Sequence, residues 1–468
     1  MADFDLVVIG SGPAGEWGAV QAALAGKRVA VVEREPVLGG TAANTGTLPS
    51  KTLRETALHL SGFRARGLYS VETTLRHEAT VSDFLFRERR VKDIERERIA
   101  RNLQRHKVEI IQGTGALVDA NTVVVRRQDA PERRLTGATI LVATGSSPYR
   151  PPLYPFEDPR IHDSDEVLEL ERLPRSLVVV GAGVIGCEYA CMFAAMGIPV
   201  TLVEARAELL PFLDDEFSAL LGQRMEALGI QLRFGQVVEQ VDVPQQDEDT
   251  PIRLRLSSGA ALETDQVLVA SGRTANTAGL GLEALGVTLG PRGQVEVGPT
   301  YQTALPHIYA VGDVIGFPAL ASTSMDQARI AVEHAFDLGG VRTMAPVLPY
   351  GIYTIPEVSM AGETEEALRK LNVPYVAGRA AFATNPRGQI LGDTHGLLKL
   401  LFHRESLKLL GVHVMGPQAS ELVHVGLTAL LTGSTARLFV ETCFNYPTLS
   451  EAYKAATFDA LDQLSGCP

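Results

Sequence analysis

The sequence predicts an α/β fold with two doubly wound βαβ units followed by a third, α+β, domain. Three observations carry this. The chain has 468 residues, 45% of them apolar and 21% charged, which is enough for about three ordinary globular cores. A segment recurs: Asp5-Leu-Val-Val-Ile-Gly-Ser-Gly-Pro-Ala-Gly15 leads through a helix to Arg28-Val-Ala-Val-Val-Glu33, and Ser176-Leu-Val-Val-Val-Gly-Ala-Gly-Val-Ile-Gly186 leads through a helix to Pro199-Val-Thr-Leu-Val-Glu204. Beyond residue 346 the pattern changes to apolar strands, Leu397–Phe402 and Lys408–His413, with flanking helices.

Each position in the repeat has a physical reason. Gly10 and Gly181 permit the tight turn after a buried strand. Gly12 and Gly183 let the backbone approach a pyrophosphate where a helix opens, at Pro13-Ala14 and Val184-Ile185. Gly15 and Gly186 let that helix pack close on its strand. The acid follows the first glycine by 23 residues in both copies, Gly10 to Glu33 and Gly181 to Glu204. That is the distance at which a carboxylate meets an adenosine ribose. Two Rossmann-like dinucleotide-binding domains are therefore expected, with Arg34, Ala205 and Arg206 flanking the two acids. A duplicated fold that binds nothing is the alternative.

Net charge is −12, which argues against nucleic acid or an anionic membrane as the main partner. The start of the chain lacks a basic stretch and a long apolar run, and no segment approaches 20 apolar residues, so a cytoplasmic location is expected. Cysteines stand at 187, 191, 443 and 467 without metal-ligand spacing. Cys187 and Cys191, four apart on a helix, are too far for an unstrained disulfide, and buried structural thiols are expected. No metal site is expected. Val81 to His106 reads as a charged helix with a solvated basic face, and Gln245–Asp249 as a polar hairpin turn.

Residues 39–51, Gly-Gly-Thr-Ala-Ala-Asn-Thr-Gly-Thr-Leu-Pro-Ser-Lys, resemble the active-site loop of the pyridine nucleotide-disulfide oxidoreductases. His307-Ile-Tyr-Ala-Val-Gly-Asp313, Thr139-Ile-Leu-Val-Ala-Thr-Gly145 and Ala270-Ser-Gly-Arg-Thr-Ala-Asn276 resemble three further segments of that family. The resemblance implies FAD in the first unit and NAD(H), with NADP(H) left open, in the second. It implies an FAD-binding domain over 1–150 and 273–345, an NAD(P)-binding domain over 151–272, and a domain over 346–468 that forms a homodimer. By the same resemblance Gly40, Thr41, Lys51, Gly115, Ala116, Thr144, Gly145, Arg273, Gly312, Asp313, Leu320 and Ala321 contact FAD, and Val237 and Gly272 contact NAD(P).

The departures are as informative. Ala42 and Thr47 replace the family's two redox cysteines, and in Phe444-Asn-Tyr-Pro-Thr-Leu-Ser-Glu451 the family's histidine base is Tyr446. A phenol with an ordinary pKa near ~10 is a poor base at neutral pH. These features, with Gly351-Ile-Tyr-Thr-Ile-Pro-Glu357 and Leu401-Phe-His-Arg-Glu405, resemble the soluble (Si-specific) pyridine nucleotide transhydrogenases. Many of those keep a cysteine at the position of Ala42. The resemblance implies ping-pong hydride transfer between NAD(P)H and NAD(P)+ through flavin N5, with Lys51 and Glu188 as the catalytic ion pair. An acid in the first turn of its helix, favourable to the dipole, is the plain alternative for Glu188. Thr47 is read as lying near the flavin or simply packing, Tyr446 as core packing, with stacking at the dimer interface or a hydrogen bond near the flavin as the alternatives, and Cys443 as without a redox role because no partner cysteine lies in sequence reach. An NADH-dependent diaphorase passing electrons to a quinone or another acceptor is the rival enzyme, and a non-catalytic FAD/NAD-binding scaffold the rival outside enzymes.

Overall fold

In the computed structural model the described residues are 2–62, 80–244, 250–340 and 342–466. Among them, β1 (Phe4–Ile9), α1 (Pro13–Leu24), β2 (Val29–Glu33), α2 (Gly40–Asn44), α3 (Thr47–Leu60), α4 (Val81–Arg105), β3 (Glu109–Gln112), β4 (Thr114–Leu117), β5 (Thr122–Arg127) and β6 (Ala130–Val142) build a first sheet in the order β3-β2-β1-β6-β5-β4. The strands β1, β2 and β3 run parallel with β6, and β4-β5-β6 form an antiparallel ribbon. Leu6 to Ile9 are all buried, because a parallel strand covered on both faces requires a continuous apolar run. The charged helix α4 is amphipathic: Phe84, Leu85, Ile99 and Leu103 are buried. Its basic face is only partly solvated, since Arg98 donates 3.0 and 2.9 Å hydrogen bonds to the buried Glu16 of α1.

After β7 (Ser146–Pro148) and β8 (Ile161–His162) the second copy of the unit appears as β9 (Leu177–Val180), α5 (Val184–Ala195) and β10 (Val200–Glu204). With α6 (Asp215–Ala227), β11 (Gln231–Phe234), β12 (Val238–Asp242), β13 (Ile252–Leu256), β14 (Ala261–Thr264) and β15 (Gln266–Val269) it gives a parallel sheet β11-β10-β9-β15-β8 and an antiparallel ribbon β12-β13-β14. The expected turn at 245–249 lies outside the described residues, and the strands either side of it pair antiparallel. The chain returns through β16 (Arg273–Ala275), which pairs antiparallel with β7, and β17 (Ile308–Ala310), which adds to the first sheet beside β6. The two crossings thus lie side by side. Helix α7 (Ala321–Ala335) then packs on α1.

The last region comprises β18 (Tyr350–Ile352), β19 (Val358–Gly362), α8 (Glu365–Lys370), β20 (Tyr375–Ala381), α9 (Pro386–Leu391), β21 (Leu397–His403), β22 (Leu409–Met415), α10 (Ala419–Leu431), α11 (Ala436–Glu441) and α12 (Ala452–Ser465). Its sheet is antiparallel in the order β18-β19-β22-β21-β20, with α10 and α12 packed on it. One apolar cluster runs through all three regions, joining Leu53 and Ala57 of α3, most of α5, and Ile352 and Ile355. Phe84 and Phe193, 6.1 Å apart between centroids, brace α4 against α5, a pair worth about 1 kcal/mol beyond its buried area. Lys399, 1% exposed, reaches from β21 to Asp214 and Glu216 at 2.8 Å each and to Glu365. No described helix is long and apolar enough to cross a membrane.

Candidate active site

The two glycine turns are built alike. Gly10 and Gly181 sit at φ +104° and +102°, a region open chiefly to glycine. A side chain on either would strike the backbone of Ala143 or Ala270, just past the end of the neighbouring strand. Helices α1 and α5 open at Gly12 and Gly183 without a side-chain cap. The N–H groups of the first turn, Pro13 having none, are therefore available to an anion, and the helix dipole favours one there. Nothing lies within 4 Å of where a Gly183 Cβ would stand, and the nearest atom at Gly12 is 3.8 Å away. Both cradles fit a phosphate-bearing ligand. Gly15 and Gly186 instead press against the carbonyls of Gly10 and Gly181, leaving no room for a side chain.

The acids fold the turns before they meet any ligand. Glu33 accepts the backbone N–H of Ser11 at 2.9 Å and its hydroxyl at 2.6 Å. Glu204 accepts the backbone N–H of Ala182 at 2.7 Å, the equivalent position. Glu204 also accepts 3.0 Å hydrogen bonds from the backbone and Nε of Arg206. Burial raises the Glu204 carboxyl, but the Arg206 bonds and the backbone N–H groups outweigh it and leave the pKa lowered. Arg34, Ala205, Arg206 and Val237 are exposed beside these turns.

Lys51 of α3 and Glu188 of α5 meet across the two units at 2.7 Å, with side chains 28% and 5% exposed. Glu188 is the fifth residue of α5, and that helix has no acid in its first turn. It is therefore a second-turn residue, which corrects the expected first-turn position and removes the dipole as its explanation. Its other oxygen accepts the backbone N–H of Tyr353 at 2.9 Å, and the Tyr353 ring lies 4.9 Å from the Lys51 ammonium. The loop before Lys51 is held by its own polar residues. Asn44 donates to Leu38 and Gly40 carbonyls and accepts from Arg96, and Ser50 donates to Gly46.

A second network links the crossings. Asp313, in the turn after β17 that begins at Gly312, accepts the Ser146 hydroxyl at 2.9 Å. Ser146 accepts Arg273 Nε at 2.8 Å, and Arg273 lies 3.5 Å from Asp165. Burial raises the Asp165 carboxyl, with the Arg273 charge opposing it. The Thr144 hydroxyl beside Gly145 is buried without a hydrogen-bond partner among the described residues, so its polar oxygen fits a bound cofactor at this position. Gly115 and Ala116 lie buried in β4, Gly40 and Thr41 open α2, and Leu320 and Ala321 open α7. Gly272 is exposed ahead of β16. Sequence reasoning missed Ser146, Asp165 and Tyr353. Ser146 borders the Thr139–Gly145 segment and Tyr353 sits inside Gly351–Glu357, so adjacency to those segments was the available signal.

Ala42 lies in α2 and Thr47 begins α3, exposed. The two thiols of α5 do not take over. Burial pushes the Cys191 thiol up to about 12 and the Cys187 thiol well above its ordinary value, so neither forms a thiolate at neutral pH. Cys443 is exposed rather than buried, and Cys467 lies outside the described residues. Tyr446 is 70% exposed, which overturns its expected place in the core: it stands on the short connection after α11, turned to solvent among the described residues.

Residues 4–335 match the pyridine nucleotide-disulphide oxidoreductase profile and residues 348–457 the dimerisation domain of the same family. The chain is 44% identical over 467 residues to a soluble pyridine nucleotide transhydrogenase of Mycobacterium bovis, covering 99% of this chain and 98% of that one. It is 42% identical over 467 residues to a protein of the same name from Pseudomonas entomophila, covering 99% of each. Among solved structures it is similar to LpdA from Mycobacterium tuberculosis, with a TM-score of 0.89 and 27% identity over 97% of this chain and 99% of that one. It is also similar to the flavoprotein disulfide reductase RclA from Escherichia coli, with a TM-score of 0.88 and 27% identity over 98% of this chain and 99% of that one. The chain therefore belongs to the pyridine nucleotide-disulphide oxidoreductases, a family of flavoenzymes that use FAD and NAD(P)H.

Proposed function

We propose that this protein moves electron pairs between NADPH and NAD+ without a disulfide relay, as a transhydrogenase. One observation carries the reading: the Lys51–Glu188 ion pair joins two intact dinucleotide cradles, while Ala42, Thr47 and Tyr446 stand where a dithiol and its base are needed. The names of the relatives at 44% and 42% identity support it. Residues 1–150 and 273–345 form the FAD domain in this reading, 151–272 the NAD(P) domain, and 346–468 the homodimer interface.

FAD, when bound, supplies the two-electron acceptor and donor chemistry. The chain supplies position and charge. Gly10, Gly12 and the uncapped start of α1 hold the FAD pyrophosphate, Glu33 its adenosine ribose, and Asp313 its ribityl chain. Gly181, Gly183, Val184, Ile185 and Glu204 do the same for the nicotinamide dinucleotide. Lys51 keeps a positive charge where electron density accumulates, and Glu188 restrains Lys51. Glu204 is pinned by the Ala182 N–H, so an incoming 2′-phosphate competes with Glu204 for the Arg206 guanidinium rather than displacing the carboxylate. The exposed Phe86 and Ile94 of α4 and Leu438, Tyr446 and Phe458 of the last region support a homodimer that covers them.

The test is anaerobic turnover with NADPH and thio-NAD. Sustained reduction of thio-NAD is expected. A protein whose flavin is reduced by NADH but passes electrons to a quinone and never to thio-NAD is a diaphorase instead.

A further inference from the structure

We propose that Tyr353 is a positioning residue for the Lys51–Glu188 pair, through which the C-terminal region sets the charge at the redox site. The proposal rests on the reading that this pair faces the flavin. Tyr353 lies between β18 and β19, in the last of the three regions, and touches both members of the pair. Its backbone N–H donates to one Glu188 oxygen at 2.9 Å while Lys51 takes the other at 2.7 Å. The carboxylate is thereby fixed at both ends in a site where only 5% of its side chain meets solvent. Its ring lies 4.9 Å from the Lys51 ammonium, within cation–π range.

Lysine needs such a second restraint. Its ammonium is a point charge on a four-carbon stem with three rotatable donors. One ion pair leaves the stem free to pivot, and the other polar contact among the described residues, Ser50 Oγ, is 3.4 Å away. The ring face attracts the charge without taking a donor, so the remaining N–H groups stay available to a cofactor.

The segment that carries Tyr353 is itself anchored. Arg54, one turn after Lys51 on α3, donates from Nε to the Thr354 carbonyl at 3.0 Å and pairs with Glu357 at 3.1 Å. Thr354 is fully buried, and its hydroxyl donates to the Pro356 carbonyl at 2.6 Å. Helices α3 and α5 are therefore stitched to one short segment, and the ring is delivered to Lys51 by backbone that cannot easily drift.

The experiment compares Tyr353→Phe, which keeps the ring face, with Tyr353→Leu, which removes it. Both keep the backbone bond to Glu188. In the FAD-loaded protein, Tyr353→Leu is expected to slow flavin reduction by NADPH about tenfold and to lower the flavin midpoint potential, with KM unchanged within about twofold. Tyr353→Phe is expected to retain the wild-type rate within about threefold. Tyr353→Leu added to Lys51→Met is expected to do no further harm, since the ring acts through the lysine. Leu and Phe variants with equal rates and potentials, a loss seen mainly in KM, or additive losses in the double variant would overturn the proposal. A readout free of FAD covers poor cofactor retention. In apoprotein with 13C-dimethylated lysines, the Lys51 methyl resonance (assigned through Lys51→Arg) is expected upfield in wild type and Tyr353→Phe but not in Tyr353→Leu. An unchanged resonance in Tyr353→Leu overturns the placement. Failure of the underlying reading looks different: Lys51→Met would then leave rate and potential at wild-type values.

Discussion

The repeat allows one glycine to be tested against another three residues away. Gly183→Ala adds a methyl at φ −73°, ψ 179°, an extended conformation open to alanine, in a spot with nothing within 4 Å. Its effect on folding is expected to stay within about 0.5 kcal/mol, helped by a less flexible unfolded chain. The methyl fills the space a pyrophosphate needs, and losing two charge-assisted backbone bonds costs about 3 kcal/mol, or about 100-fold in NADH affinity. Gly186→Ala places its methyl within the Gly181 carbonyl, whose carbon would be 3.1 Å away, with the Ala270 side chain at 3.4 Å. Backbone cannot rotate aside, so α5 must lift from its sheet by about 1 Å, which forfeits a large share of the dispersion contacts there. Ten buried residues of α5 would feel that shift, and a loss of about 3 kcal/mol is expected. Isothermal titration with NADH and equilibrium urea unfolding separate the two effects. NADH binding by Gly183→Ala within about threefold of wild type, or undiminished stability of Gly186→Ala, would show that the two glycines do not divide binding from packing in this way.

Lys399→Met leaves the buried Asp214 without its ion-pair partner beside Glu216 and Glu365, which Arg379 still reaches, and urea unfolding is expected to show a loss of about 3 kcal/mol at neutral pH. That deficit should shrink in acid. Burial alone would raise the Glu365 carboxyl, yet Lys399, Tyr375 and Arg369 draw it from 4.5 to about 2, so its contribution is present above its unfolded pKa and lost as pH falls through about 2. Arg206→Ala is expected to raise KM for NADPH about tenfold while leaving KM for NADH within about twofold, measured by steady-state kinetics with each donor. Lys51→Met is expected to lower the rate of flavin reduction at least about tenfold with FAD still bound, checked by anaerobic stopped flow.

The fold was legible because its rules are local. Leu6 to Ile9 and Leu177 to Val180 announce buried parallel strands, and the 23-residue interval from Gly10 to Glu33 and from Gly181 to Glu204 spans one βαβ unit. The pairing of Lys51 with Glu188 was reached through resemblance, since nothing local to either residue points to a partner 137 positions away. Tyr353 was missed for the same reason, its backbone reaching Glu188 across 165 positions. Ser146 and Asp165 belong to a network assembled only where β7 and β16 cross. Glu188 was misplaced by a single turn, since as the fifth residue of α5 it falls just past the first turn, which ends at Cys187. Tyr446 and Cys443 lie in a stretch of irregular backbone, where periodicity carries no information about which side faces solvent.

In a transhydrogenase of this kind, electrons entering from one nicotinamide leave through another, with the flavin as the only stop. Double-mixing anaerobic stopped flow tests it directly. The protein is first reduced with one equivalent of NADPH, and the bleached flavin is then mixed with NAD+. Recovery of the oxidised flavin spectrum at a rate no slower than steady-state turnover, together with stoichiometric NADH, is expected. A flavin that stays reduced after NAD+ is added, or recovers only when a quinone or oxygen is admitted, would mean that the protein is not a transhydrogenase.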